Sequence, residues 1–187
     1  MSVINCVYIE NSNLECNPSD KQLARKRISV QKKLRRYNRL MPRESNKRKS
    51  LIRRVIPDIG KNCSVYPPFF CDYGCNIHIG DNFFANVGCV ILDTFPITIG
   101  DNVMIGPHTV ISTAGHPIDP TTRNSGVIHG KPIIIQDNVW IGANCTINPG
   151  VTIGKNSVIG SGSVVVHDIS PNVVVAGNPC RYIKGIL

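Results

Sequence analysis

The sequence predicts an all-β solenoid, a parallel β-helix that is built from six-residue steps. Three features of the chain favour it: isoleucines that return every sixth residue, residues that tolerate a positive φ three places later, and small or β-branched residues between them. An α-helix repeats about every 3.6 residues and a strand alternates at every second residue, so neither produces this pattern. Stacked coils of short strands and turns do produce it, because each step supplies one side of a coil.

Each position of the step has a structural meaning. The isoleucine column, which one valine continues, comprises Ile99, Ile105, Ile111, Ile135, Ile141, Ile147, Ile153, Ile159 and Val165. Ile79 and Ile91 keep the same step two residues out of phase. The residues three places after the step positions are Asn82, Asn102, His108, Asn138, Asn144, Gly150, Asn156 and Gly162. Because these residue types adopt a positive φ most readily, we expect them to turn the corners while isoleucine points into the coil.

The N-terminal part of the chain has a different character. Fifteen of the 21 Lys and Arg residues lie between Lys21 and Arg54, a stretch in which Glu44 is the only acid. Its apolar residues keep roughly helical spacing, which predicts two basic amphipathic helices at one end of the solenoid. We therefore divide the chain into a basic helical segment, residues 1–57, and a β-helix domain, residues 58–187.

Local signals predict where these helices begin. Asn17 followed by Pro18 is typical of an N-cap and a first-turn proline, and Ser19 with Gln22 is typical of a capping box. The second helix is expected over residues 46–56. A nucleic-acid patch is one interpretation of the charge, but no aromatic residues are interleaved for base stacking. Solvated helix faces, or a contact with an acidic ligand or subunit, are favoured, and no nucleic-acid partner is expected.

Composition limits the compartment and the partners. No apolar run approaches the ~20 residues of a membrane span, so no membrane partner is expected. The opening MSVINCVYIENSN lacks the basic region of a secretory signal. Most of the eight cysteines lie inside the repeat and none forms a CxxC pair, which is typical of reduced core cysteines. We therefore expect a cytoplasmic protein.

One stretch interrupts the six-residue rhythm. Residues 112–134, with the segment TAGHPIDPTTRNSGVIHGKP, are rich in Pro, Gly and polar residues, and the step resumes in phase at Ile135. The stretch is expected to protrude as a loop from a rigid wall, and long loops on rigid scaffolds often carry function. It contains His116, whose backbone is stiffened by Pro117.

Four blocks of the chain resemble the hexapeptide-repeat acyltransferases, in particular the maltose and galactoside O-acetyltransferase family. The blocks are CDYGCNIHIGDNFFANVGCVILD (71–93), GHPIDPTTRNSG (115–126), NVWIGANCTINPGVTIG (138–154) and VVAGNPCRYIKGI (174–186). The resemblance implies a left-handed β-helix, a homotrimer with active sites between neighbouring subunits, acetyl-CoA as the acyl donor and a sugar as the acceptor.

The resemblance also implies catalytic roles. His116 in the GHP motif matches the family's general base, and an imidazole can accept a proton near neutral pH. The backbone N–H of Ala143 would stabilise the oxyanion, and Asn86 would orient the acceptor. Attack on the thioester is direct, so no cysteine is required as a nucleophile.

Further positions carry over as binding residues. The acceptor pocket would be formed by Asn17, Arg27, Asp72, Phe84 and Asp93. The coenzyme A groove would be formed by Ala143, Ser161, Val166, His167, Arg181 and Lys184. The chain departs from its relatives at two of these positions, because relatives often carry an acid where Asn17 stands and usually carry Lys where His167 stands.

Other functions remain as alternatives. A zinc hydratase of the same fold needs three histidines together, whereas the five histidines of this chain include no close pair, so no metal is expected. An acetyltransferase acting on serine or an antibiotic would share the build of this chain. A non-catalytic trimeric scaffold or polyanion-binding protein is a third class, and it predicts salt-sensitive binding without release of coenzyme A.

Overall fold

The computed structural model describes residues 7–9, 13–17 and 20–186 of the chain. The helices are α1 (Lys21–Tyr37), α2 (Ser45–Val55) and α3 (Pro120–Asn124). The strands up to the interruption of the repeat are β1 (Val7–Ile9), β2 (Asn13–Cys16), β3 (Asp58–Ile59), β4 (Ser64–Val65), β5 (Phe70–Cys71), β6 (Ile77–Ile79), β7 (Phe84–Ala85), β8 (Val90–Leu92), β9 (Ile97–Ile99), β10 (Met104–Ile105) and β11 (Val110–Ser112). The remaining strands are β12 (Ala114–Gly115), β13 (Ile128–Gly130), β14 (Ile133–Ile135), β15 (Trp140–Ile141), β16 (Thr146–Ile147), β17 (Thr152–Ile153), β18 (Val158–Ile159), β19 (Val164–Val165), β20 (Val173–Ala176) and β21 (Arg181–Gly185).

Three sheets form the sides of a triangular prism. Face 1 contains β3, β6, β9, β14 and β17; face 2 contains β4, β7, β10, β15, β18, β20 and β21; face 3 contains β5, β8, β11, β16 and β19. Neighbouring strands within a face are parallel, except that β21 runs antiparallel to β20. The predicted parallel β-helix is therefore confirmed.

The inside of the prism is a ladder of aliphatic side chains. On face 1, Ile59 pairs in register with Ile79, and this column continues through Ile99 and Ile135 to Ile153. All five side chains are buried. Fully burying one aliphatic side chain of this size stabilises a fold by about 1.5–3 kcal/mol. The repeated isoleucines therefore supply much of the hydrophobic stabilisation of the prism.

Face 1 and face 2 meet at an edge of stacked asparagines, here called the asparagine edge. Its members are Asn62, Asn82, Asn102, Asn138, Asn156 and Asn172, all with positive φ. Each amide group donates to the next one along the prism, with N···O distances from 2.7 to 3.3 Å. The predicted corner role of asparagine is confirmed, and the side chains also tie the coils together.

The edge between face 3 and face 1, here called the arm edge, is wider than the other two in the first coils. Ile59 pairs with Ile79 and Ile79 with Ile99, so these coils are two residues longer than the coil between Ile135 and Ile153. The additional residues lie between β5 and β6 and between β8 and β9. In the next coil, the segment from β11 to β14 leaves the prism at this same edge.

That segment, residues 113–132, is called the arm. It is not the bare loop that the sequence predicts, because β12 and β13 pair antiparallel within it and α3 lies between them. Strand β13 also pairs with β2, and β2 with β1, which gives a four-stranded antiparallel sheet. The N-terminal strands β1 and β2 thus stiffen the arm. The division of the chain into two domains, residues 1–57 and 58–187, stays a prediction.

A small second core fixes this sheet to the prism. Cys16, Leu23, Tyr73 and Phe95 are buried together, with Ala114 and Ile128 packed against them. The cluster contains one residue from β2, one from α1 and two from the widened coils. The arm, the first helix and the arm edge are therefore held as one unit.

The two basic helices close one end of the prism. Helix α1 begins after Asp20, whose carboxylate accepts from the backbone N–H of Gln22 at 2.6 Å and of Leu23 at 3.0 Å. The prediction of Asn17 as the N-cap is therefore wrong, and the capping box through Ser19 lies outside the described residues. Helix α2 confirms the second predicted helix to within one residue.

Candidate active site

The predicted site residues lie on two different edges of the prism. Asp72, Asp93 and the arm with His116 lie at the arm edge, whereas Asn86 and Ala143 follow face 2 strands at the edge between face 2 and face 3. Strand β8 crosses face 3 between the two edges. At about 3.3 Å per residue, the stretch from Val87 to Asp93 spans roughly 20 Å. The groups of one chain are therefore one side of the prism apart.

The side chain of Asp93 lies beneath the surface instead of lining a pocket, because it is 0% exposed. Its carboxylate accepts from the backbone N–H groups of Asp72 at 3.0 Å, Tyr73 at 2.9 Å and Asn76 at 3.3 Å. Burial raises the pKa of Asp93 to about 7, although the Tyr73 and Asn76 hydrogen bonds act in the opposite direction. Asp93 thus organises the widened coil that carries Asp72.

Asp72 is the acidic group that this coil presents at its surface. Its side chain is half-buried and accepts from the hydroxyl of Thr94 at 3.3 Å. Burial raises the pKa of Asp72, while the Thr94 hydrogen bond and the positive charge of Arg27 lower it. Arg27 in turn lies 3.4 Å from the Tyr73 hydroxyl and stacks on its ring at 5.9 Å. The predicted pair Arg27 and Asp72 is therefore brought together, and Thr94 is a member that the sequence reasoning missed.

His116 follows β12 on the arm and is exposed. Its Nδ1 lies 3.4 Å from the carbonyl oxygen of Val127 on the returning strand of the arm. In the tautomer in which Nδ1 carries the proton, Nδ1–H donates to this carbonyl and Nε2 is left as the acceptor. That is the arrangement a general base requires.

Glycine dominates the edge between face 2 and face 3, here called the glycine edge. The first residue after strands β7, β10, β15 and β18 is Asn86, Gly106, Gly142 and Gly160 in successive coils. A Cβ at Gly106 would lie 2.6 Å from the backbone nitrogen of Ala143, and one at Gly142 would lie 2.6 Å from that of Ser161. Glycine therefore keeps these two backbone nitrogens uncovered, and Asn86 places an amide side chain in the same column, between Tyr66 and Gly106.

Ala143 and Ser161 contact each other along this edge. The N–H of Ala143 donates to the hydroxyl oxygen of Ser161 at 3.2 Å. The predicted oxyanion donor is thus directed to the outside of the edge, where a hydroxyl oxygen already accepts from it.

Phe84 lies on the outer side of face 2, just before Asn86. Its ring is half-buried and lies 5.6 Å from the ring of Tyr66. In register with it along face 2 come Met104 and Trp140, which are 50% and 52% exposed. Face 2 therefore carries an exposed apolar column beside the glycine edge, of which only Phe84 was predicted as a site residue.

The predicted coenzyme A residues of the C-terminal part divide into two groups. His167 and Arg181 line a common cleft of about 310 Å³ between the last coil and β21. Val166 and Lys184 do not line it: Val166 is 36% exposed beside β19, and Lys184 lies in register with Val174 on the edge strand. A histidine and an arginine are therefore the groups that could contact phosphate in this cleft.

The remaining predictions concern groups outside these edges. Asn17 is exposed at the end of β2. Within the described part of the chain, no three His, Cys, Asp or Glu side chains come together as a metal site. Over the same residues, the helices are all too short or too polar to cross a membrane.

Comparison with known proteins shows the class of proteins to which this fold belongs. Family models match residues 132–167 (bacterial transferase hexapeptide, six repeats), 96–115 (hexapeptide repeat of succinyl-transferase) and 17–60 (maltose acetyltransferase hexapeptide capping motif). The galactoside O-acetyltransferase of Escherichia coli K12 is 49% identical over 164 residues, which are 88% of this chain and 81% of that protein.

Two solved structures have the same fold over nearly the whole chain. A maltose O-acetyltransferase from Clostridium difficile 630 is 48% identical, with a TM-score of 0.91 over 92% of each chain. A hexapeptide-repeat acetyltransferase of Vibrio cholerae O1 biovar eltor, complexed with acetyl coenzyme A, is 38% identical, with a TM-score of 0.87 over 91% of this chain and 92% of that one.

The chain is thus a left-handed β-helix of the hexapeptide-repeat acetyltransferase class, as its sequence predicts. Within that class it belongs to the family of the maltose and galactoside O-acetyltransferases, and it is an enzyme.

Proposed function

We propose that the protein transfers the acetyl group of acetyl-CoA to a sugar hydroxyl, in a site that two protomers of a homotrimer share. The observation that carries the proposal is the distribution of the site residues. His116 and Asp72 lie on the arm edge, and Asn86 and Ala143 lie on the glycine edge, one side of the prism away. A heterologous contact between neighbouring protomers, which closes into a ring, would bring one edge of each type together.

The outer faces support this assembly. Face 2 presents Met104 and Trp140 to solvent. Face 1 is mainly polar on its outer side, with Asp58, His78 and Thr98 in register. Exposed apolar residues that continue along one wall are typical of a protein contact. The apolar wall of face 2 borders the glycine edge.

The glycine edge is the proposed seat of the thioester. Acetyl-CoA supplies an acetyl group activated as a thioester, and its narrow pantetheine chain suits a column in which Gly106 and Gly142 carry no side chains. The N–H of Ala143 would donate to the carbonyl oxygen of the thioester in place of the Ser161 hydroxyl. An N–H that is already fixed before charge develops stabilises an oxyanion without reorganising at the moment of reaction.

The arm supplies the base. Nε2 of His116 accepts the proton of the acceptor hydroxyl while that oxygen attacks the carbonyl carbon of the thioester. The carbon–sulfur bond then breaks, and the leaving thiolate takes the proton back from the imidazolium. The products are an acetyl ester of the sugar and free coenzyme A, and the enzyme returns to its starting protonation state.

Direct transfer agrees with the state of the cysteines. Burial raises the pKa of the Cys71 thiol strongly and that of Cys89 to about 11, so both stay protonated and poorly nucleophilic.

The acceptor would be held by Asp72 and Arg27, with Asn17 at the rim, Asn86 on the facing edge and Phe84 beside it. The cleft between His167 and Arg181 would take the phosphate end of coenzyme A, with Ser161, Val166 and Lys184 along its course.

We also propose a cytoplasmic location. The seven described cysteines are all free, as expected in a reducing compartment.

Subunit complementation tests the shared site. His116→Ala and Asn86→Ala should each abolish acetyl transfer to maltose, lactose or a galactoside in an assay of coenzyme A release. When the two inactive variants are co-expressed, some sites combine the intact arm edge of one variant with the intact glycine edge of the other. Random mixing in a closed trimer should restore activity to about a quarter of that of the wild type.

The control is co-expression of His116→Ala with a His116→Ala, Asn86→Ala double variant, which offers no intact arm edge. Failure of the first mixture to recover activity, while its mixed trimers are seen by mass, would mean that each site is contained in one chain. Absence of coenzyme A release with every sugar in the wild type would contradict the sugar acceptor.

A further inference from the structure

A cleft of about 580 Å³ lies between helix α1 and the first coils, next to Asp72. Helix α1 contributes Gln31, Leu34 and Arg35 to it, the turn after the helix contributes Asn38 and Arg39, and the coils contribute Pro68, Phe70, Cys71, Asp72 and Leu92. One wall is therefore cationic and the other is largely apolar. The acid at its end is the residue that we place in the acceptor pocket.

The cleft has rigid walls. The side chain of Asn38 donates to the carbonyl oxygen of Phe69 at 3.0 Å and accepts from its N–H at 2.9 Å. Leu34 and Tyr37, on the same helix, are buried in the main core. Helix α1 is thus fixed against the coil on both sides of Arg35, and the space between them is part of the fold.

The cations of this wall have no acidic partner in the part of the chain that the structure describes. Arg35 lies in the last turn of α1 and Arg39 in the turn that follows the helix, and both are exposed. Lys32 and Arg36 border a second concavity that shares these two arginines. Among the described residues, no carboxylate lies within 4.0 Å of any of these four cations; the ion pairs there join Glu44 with Lys47 and Asp58 with His78. Lys32 and Arg36 stand one turn apart in α1, and like charges at this spacing destabilise a helix, so an anion placed here would relieve that repulsion.

The opposite wall has a different chemistry. Phe70 is 49% exposed, and Pro68 and Leu92 lie beside it. An aromatic ring next to aliphatic groups can pack against the C–H face of a sugar. The cleft therefore offers an apolar surface, a cationic rim and a direct connection to Asp72.

We propose that this cleft is a subsite for the second unit of the acceptor, and that this unit carries an anionic group, such as a carboxylate, a sulfate or a phosphate. The inference rests on the proposed function and deepens it, because it names the acceptor class as an anionic oligosaccharide. The unit that is acetylated lies at Asp72 and Arg27, and the anionic unit lies against Arg35 and Arg39.

Matched acceptors test the inference. Lactitol and lactobionate share the galactosyl unit and an open-chain second unit, which ends in a neutral alcohol in one and in a carboxylate in the other; maltitol and maltobionate form the same kind of pair. Two exposed ion pairs should favour the anionic member by about fivefold to tenfold in kcat/KM at low ionic strength. The preference should fall toward one at high salt, because exposed charges are screened.

Two double variants locate the effect. Arg35→Gln with Arg39→Gln should remove the preference, so that lactitol and lactobionate are acetylated with equal kcat/KM. Lys49→Gln with Arg54→Gln removes the same charge from exposed positions of α2, outside the cleft, and should retain the preference. A wild type that acetylates lactitol and lactobionate equally would overturn this inference alone, whereas a wild type that acetylates no member of either pair, nor lactose or maltose, would overturn it together with the proposed function.

A further outcome concerns macromolecules. If the wild type binds a DNA or RNA oligonucleotide in a salt-sensitive way, loses that binding in the Arg35→Gln, Arg39→Gln variant and shows no preference for lactobionate, the basic wall serves a polyanion and the acceptor subsite is wrong.

Discussion

The carboxylate of Asp93 accepts a hydrogen bond from the backbone N–H of Tyr73 at 2.9 Å, and this buried contact joins two successive coils at the arm edge. The same carboxylate accepts from the backbone N–H of Asp72. The buried Asp93 therefore positions Asp72, which is partly exposed. The geometry of the proposed acceptor side of the site therefore depends on a buried group that no ligand can touch.

Asp93 should make the stability of the protein depend on pH. Burial raises its pKa in the folded chain to about 7, whereas an unfolded aspartate has a value of about 3.9. Between these values the folded chain holds one more proton than the unfolded chain, so the free energy of unfolding falls as pH rises, by up to about 1.4 kcal/mol per unit. Asp93→Asn should lose this component when denaturant titrations are compared between pH 5 and pH 8.

Asp137→Asn is the matched control for that experiment. Asp137 also accepts a backbone N–H, from Asp101 at 2.8 Å, but it is exposed. Its variant should keep the slope of the wild type. Identical slopes in the wild type and in Asp93→Asn would show that the buried carboxyl titrates as it does in water.

Gly106→Ala should lose catalysis beyond its loss of stability. The new methyl group would lie 2.6 Å from the nitrogen of Ala143 and would cover the proposed oxyanion donor. Removing one such donor costs about a hundredfold or more in turnover. Gly100→Ala is the control, because its methyl group would lie 2.1 Å from a carboxylate oxygen of Asp137 at a different edge.

Turnover per folded protein should be measured for both glycine variants at a temperature where each is folded. We expect a large defect in Gly106→Ala and a small one in Gly100→Ala. Equal turnover in the two variants would remove the Ala143 N–H from the mechanism.

The backbone conformation and the side-chain hydrogen bonds of the asparagine edge should contribute separately to the free energy of unfolding. Asn102 has a φ of 57°. Its side-chain oxygen accepts from the amide of Asn82 at 2.9 Å, and its side-chain nitrogen donates to the amide oxygen of Asn138 at 3.0 Å. Asn102→Gly keeps the backbone conformation and loses only the amide. Asn102→Ala loses both and should be less stable than Asn102→Gly by about 1 kcal/mol, the cost of a left-handed backbone in a residue with Cβ. Denaturant midpoints of the two variants measure the difference, and equal midpoints would contradict it.

The apolar column of face 2 should maintain the proposed trimer. Met104→Glu with Trp140→Glu would place two charges in the proposed contact, and the mass measured by light scattering should fall toward the 20.5 kDa of one chain. Acetyl transfer should be lost with it, because each protomer would keep an incomplete site. Thr98→Glu places a charge on the outer side of face 1 and should leave both mass and activity unchanged. A trimer that persists in the double variant would exclude face 2 from the contact.

Much of the fold follows from local pattern. The isoleucine step and the corner asparagines are read directly from the sequence, because each coil repeats the same short-range requirements of one inward aliphatic side chain and one positive φ. The four-stranded sheet of the arm is different. Strands β2 and β13 are short and lie far apart in the chain, so neither has a sequence pattern that predicts their pairing.

The site was predictable in part and for a similar reason. Resemblance to relatives selects His116 and Asn86, but burial decides what Asp93 does, and burial depends on neighbours from another coil. One signal in the sequence does mark the arm edge. The step from Ile91 to Ile99 is two residues longer than six, and this is where the coil widens around Thr94.

Between Ile59 and Val165, the steps longer than six residues all lie at one edge of the prism. Residues 72–76, 93–96 and 113–132 make up these longer steps, whereas the asparagine edge and the glycine edge keep the regular step. A change in the three segments should therefore alter the proposed acceptor side and leave the proposed binding edge of the acyl donor in place. Transplanting the three segments together between relatives is the direct route to a new sugar preference.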